Sequence, residues 1–118
     1  MSEVKRATRV SERVREELAW LLTREVRDPR VSGVIVSRVE MTDDLKMARV
    51  YVRMLTGGDA SLALEGLKRT SNMLRRELTK KVGLRYAPEL RFFYDDGLDK
   101  TSRIEELLEE VKRDGTKQ

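Results

Sequence analysis

The stretch DASLALEGLKRTSNMLRRELTKKVGLRYAPELRFFYD, residues 59–95, decides how this chain is read. Leu62, Ala63, Leu67, Leu74, Leu78 and Val82 recur at three- and four-residue spacing, the period of a helix with one buried side. Thr70-Ser71-Asn72 falls in the middle of that pattern. Ser and Asn compete for nearby backbone hydrogen bonds and suit helix starts better than interiors. The expectation is a helix from the Asp59 cap to about Arg69, then a kink. A second helix would be capped by Ser71 or Asn72 and stopped by Gly83. Positions 63, 67, 70, 74 and 78 also fit one unbroken helix, so periodicity leaves both readings open. A helix start carries unpaired N–H groups and a partial positive charge, both suited to a phosphate. Lys68 and Arg69 precede the break; Arg75, Arg76, Lys80, Lys81 and Arg85 follow it. Ala87-Pro88 then resets the chain, and Leu90, Phe92 and Tyr94 alternate along a strand.

Charge concentrates on the same stretch. Residues 60–91 carry a net +5, more than the +4 of the whole chain, while residues 92–118 carry −3. A local basic stripe is the footprint of a polyanion binder. A solvated helix face is the other reading of these charges.

Outside this stretch, Val10, Val14, Leu18, Leu21 or Leu22 and Val26 mark a helix over residues 8–27, with Trp20 at the stripe's border. Asp28-Pro29 ends it, because proline pushes the preceding residue out of helical geometry. Strands are expected over residues 31–41 and 47–54, joined at Asp43-Asp44 as an antiparallel hairpin. In the second, Ala48, Val50, Val52 and Met54 face one way and Arg49, Tyr51 and Arg53 the other. Those three resemble a base-stacking platform, but an ordinary polar sheet face is the favoured reading. Ser102 and Glu105 form a capping box before Ile104, Leu107, Leu108 and Val111, predicting a last helix with an acidic outer side.

The chain has 118 residues, enough for one domain, and 39% are charged, against about 25% in ordinary globular chains. It divides into a flexible N-terminal arm (1–7), a single domain (8–112) and a disordered tail (113–118). It contains no Cys and no His, which removes disulfides, thiolate metal sites and the commonest general base. Asp43-Asp44 and Asp95-Asp96 are the tempting carboxylate pairs, but neighbours on a turn converge poorly on a metal. The expectation is a cytoplasmic monomer that is not an enzyme, with no cofactor, no metal, no small-molecule substrate and no membrane contact.

The element order is helix-strand-strand-helix-kink-helix-strand-helix, an α+β fold with a three-stranded mixed sheet. With a helix junction beside a basic stripe, this order resembles a type II KH domain, although no Gly-X-X-Gly loop is present. More specific is a set of stretches in order. Glu25-Val26-Arg27-Asp28-Pro29-Arg30-Val31 comes first, then Val39-Glu40-Met41-Thr42-Asp43-Asp44-Leu45, running into Ala48-Arg49-Val50-Tyr51-Val52. Pro88-Glu89-Leu90-Arg91-Phe92-Phe93-Tyr94-Asp95 and Arg103-Ile104-Glu105-Glu106-Leu107-Leu108 complete it. Together they resemble the ribosome-binding factor A family of bacterial small-subunit assembly factors.

That family resembles KH proteins whose glycine loop is replaced by an interrupted helix marked Ala-X-Gly. The motif falls here on Thr70-Ser71-Asn72, with Thr70 in place of the alanine and Asn72 in place of the glycine. The resemblance implies binding to the free, immature 30S subunit through 16S rRNA, a part in late rRNA maturation, and importance in the cold. The expected RNA contacts are Lys68, Arg69, Thr70, Ser71, Asn72, Arg75, Arg76, Lys80, Lys81 and Arg85. The competing expectation is a protein–protein adaptor acting through the acidic last helix.

Overall fold

The computed structural model describes residues 3–55 and 58–95, with side chains from residue 5 onward. In chain order these form α1 (Glu3–Arg24), a 3-10 turn (Pro29–Val31), β1 (Val34–Met41), β2 (Met47–Met54), α2 (Ala60–Val82) and β3 (Glu89–Tyr94). The expected last helix, the tail and Asp96 lie outside the described residues.

The sheet has the order β1-β2-β3, with β1 antiparallel and β3 parallel to the central β2. A parallel neighbour cannot be reached by a hairpin, so the chain crosses over through α2. Ala48, Val50 and Val52 of β2 are fully buried, and they join one core with Val14, Leu18 and Leu21 of α1 and Leu67, Leu74 and Leu78 of α2. Both helices therefore cover the same side of the sheet.

Two boundaries differ from expectation. Helix α1 begins at Glu3 rather than Thr8, so the residues assigned to a flexible arm include a helical turn, and Ala7 is buried in the core. It ends at Arg24, three residues early. Asp28 is extended before its proline, and its carboxylate caps the 3-10 turn by accepting the Arg30 N–H at 2.9 Å. The Arg30 guanidinium also donates to Asp28, at 2.6 Å from Nη2. These bonds, led by the guanidinium, hold the Asp28 carboxyl down to about 2.

Strand β1 starts at Val34 and its register shifts between Val36 and Arg38. The extra residue, Ser37, rephases the alternation, so Val36, Val39 and Met41 all reach the core. Its hydroxyl donates to the Asp95 carboxylate at 2.9 Å, which gives that acid a structural partner rather than a catalytic one. Asp44 is occupied likewise: it accepts from the Thr42 hydroxyl at 2.7 Å and the Lys46 N–H at 3.0 Å, closing the β1–β2 turn. Tyr51 is only 3% exposed, its ring stacked on Phe93 (centroids 5.4 Å apart) with the Arg38 guanidinium 4.1 Å from its centre. That ring is packed into the sheet, as the plainer reading had it.

Candidate nucleic-acid interface

Helix α2 is one helix of 23 residues, capped by the Asp59 carboxylate at Leu62 N–H and closed by Gly83 in the left-handed conformation. The expected second helix start at Thr70-Ser71-Asn72 is not formed, so the chain offers no backbone-amide cradle there. Magnitudes explain the outcome. Three poor helix formers cost together about 1.5–2 kcal/mol relative to alanine. Continuing the helix buries Leu74 and Leu78 completely, each worth roughly 1.5–3 kcal/mol. Thr70 also satisfies its hydroxyl without breaking the helix, donating back to the Gly66 and Leu67 carbonyls at 3.1 and 3.2 Å.

This makes a prediction of sign. In a continuous helix Ser71→Ala and Asn72→Ala should each stabilise the fold by about 0.5–0.7 kcal/mol, read as a higher urea midpoint. At a helix cap the same changes would cost about 1 kcal/mol, so a fall in midpoint would restore the break.

An unbroken helix still presents one face to solvent. Lys68, Asn72, Arg76 and Lys80 follow each other at four-residue intervals, which lines them up along a single ridge about 18 Å long, with Arg69 beside it. All five are exposed. Glu65, the acid at the N-terminal end of this face, pairs with Arg30 at 3.4 Å.

The remaining expected contacts are placed differently. Thr70 and Ser71 are half-buried on the helix flank. Arg75 is also half-buried, and its guanidinium donates to the Pro88 carbonyl at 2.8 Å and the Ala87 carbonyl at 3.1 Å, tying α2 to the entry of β3. Charge-assisted bonds of this kind are worth about 1.5–3 kcal/mol, so Arg75 reads as a strut. Lys81 turns toward α1, with its ammonium 4.3 Å from the centre of the Trp20 ring, while its carbonyl accepts from Arg13 at 3.2 Å. Arg85 is exposed just beyond Gly83, next to Tyr86, an exposed aromatic that the sequence pattern did not single out. Its signal was its place: an aromatic outside any apolar period, next to an arginine.

The array is a one-sided row of cations along a single helix, suited to phosphates. No group of three metal-ligating acids occurs among the described residues, and no described helix is long and apolar enough to cross a membrane.

Comparison with known proteins agrees with this architecture. Residues 6–108 match the family model described as Ribosome-binding factor A. A ribosome-binding factor A from Sorangium cellulosum is 56% identical over 113 residues, covering 92% of this chain and 90% of that protein. Among solved structures, the crystal structure of ribosome-binding factor A from Thermus thermophilus aligns with a TM-score of 0.69 at 25% identity, covering 75% of this chain and 93% of that one. A Thermus thermophilus homology model fitted into a cryo-EM map of a 30S complex aligns with a TM-score of 0.61 at 26% identity, over 70% and 88% of the two chains.

Proposed function

Because this chain belongs to the ribosome-binding factor A family, we propose that it binds the free 30S subunit by laying the α2 ridge against phosphates of 16S rRNA. The observation that carries this reading is the row of Lys68, Arg69, Arg76 and Lys80, exposed together, with Glu65 at its N-terminal end paired to Arg30. Phosphate contacts of this kind dominate affinity and orient a protein without reading sequence. Asn72, in the middle of the row, adds a neutral donor and acceptor. On this reading the protein is a cytoplasmic monomer with no catalytic step and no cofactor. It acts by holding rRNA during late maturation, where cold-stabilised RNA structure makes such help most needed.

The test is co-sedimentation with purified 30S and 50S subunits across a salt series. Four phosphate contacts predict selective pelleting with 30S and a slope of log affinity against log salt of about −3 to −4. Salt-independent pelleting would point instead to a protein contact on the ribosome and would remove the ridge from the mechanism.

A further inference from the structure

We propose that the cleft at the C-terminal end of α2 holds one unpaired RNA base, stacked on Tyr86, with Arg85 and Arg6 on its flanking phosphates. This inference rests on the rRNA-binding reading and adds to the ridge a pocket that discriminates an extruded base from paired RNA.

The cleft has a volume of about 380 Å³ and is lined by Arg6, Leu45, Arg85 and Tyr86 among others. Its floor is apolar (Val10, Val82 and Leu84) and its rim is charged, the usual combination of a small-ligand site. Tyr86 is 66% exposed, the most exposed of the large hydrophobic side chains among the described residues. Among the described residues its ring stacks on none and its hydroxyl makes no hydrogen bond. A bare aromatic beside two guanidinium groups is the arrangement that stacks bases and holds their backbone.

Backbone geometry builds the walls. Gly83, at φ +77°, turns the chain out of α2, leaving Leu84 half-buried and Arg85 and Tyr86 outside. Opposite them, Leu45 adopts φ +62°, the one non-glycine residue in the left-handed region among the described residues. That unfavourable conformation is held by its N–H bond to the Thr42 carbonyl at 2.9 Å and by the packing of Leu45 on the core. Asp44, also on the cleft, accepts from the Thr42 hydroxyl and the Lys46 N–H, which lower its pKa below the ordinary carboxylate value. Both bonds fall on Oδ1, so Oδ2 is the acceptor that suits the exocyclic amino group carried by adenine, guanine and cytosine. The pocket lies at the C-terminal end of the helix that carries the ridge.

The probes are two RNA hairpins, identical except that a single-adenosine bulge in one is an abasic bulge in the other. The full chain is expected to bind the adenosine form about tenfold more tightly, the usual scale of one base stacked on an aromatic side chain. Tyr86→Ala should abolish that preference while leaving affinity for the abasic hairpin and its salt slope unchanged, and Tyr86→Phe should keep it. Circular dichroism of both variants checks the fold, which an exposed ring should not disturb. If wild type and Tyr86→Ala bind both hairpins alike, with salt dependence intact, the base pocket is overturned while ridge binding stands. If neither hairpin is bound in a salt-dependent way, the rRNA reading fails and this inference fails with it.

Discussion

Reversal of Lys68, Arg69, Arg76 and Lys80 to Glu is expected to abolish co-sedimentation with the 30S subunit while leaving the unfolding transition in place. All four side chains are exposed, so none contributes packing that the change would remove. Losing four phosphate contacts removes a salt slope of about −3 to −4, equivalent to roughly two decades of affinity over a fourfold change in salt. Reversal adds repulsion to that loss. Arg75 is left out of the set because its bonds to the Ala87 and Pro88 carbonyls make its substitution a change in the fold. Lys81 is left out because it rests on Trp20. A quadruple variant that still pellets with 30S at moderate salt would show that the interface lies elsewhere on the molecule.

Gly66→Val is expected to be the most destabilising single change proposed for α2, although valine is the better helix former by about 0.5 kcal/mol. Gly66 is buried where α2 crosses the Pro29–Val31 turn. A Cβ there would lie 2.9 Å from Val31 Cγ1 and 3.1 Å from Arg30 Cβ. Valine adds two methyl groups beyond that Cβ, and overpacking of this kind costs about 1–3 kcal/mol or more. The helix must then lift from the turn that orients Arg30 toward both Asp28 and Glu65. Urea denaturation measures the effect. A midpoint equal to wild type would mean that helix and turn are not in close contact.

This contact shows where sequence reasoning stopped. Asp28-Pro29 was legible as a helix stop, since the steric demand of proline acts on its immediate neighbour. That the turn after it is the seat of α2, and that Gly66 is the residue allowing the approach, depends on atoms 36 residues apart in the chain. No local pattern carries that information.

The hairpin, the buried face of β2, the caps at Asp59 and Gly83 and the parallel return into β3 were all written in local chemistry: period-two alternation, short connections and residues with special backbone preferences. The one-sided cationic helix was equally legible, because charge and spacing are properties of the sequence itself. Tertiary structure decided the rest. It kept α2 whole through Thr70-Ser71-Asn72, because two fully buried leucines outweigh three weak propensities. It also tied Arg75 to the Ala87 and Pro88 carbonyls and set the exposed Lys81 over the Trp20 ring, partners that folding alone brings near. Sequence alone set which residues are charged; the folded chain chose which of those charges remain free to meet a partner.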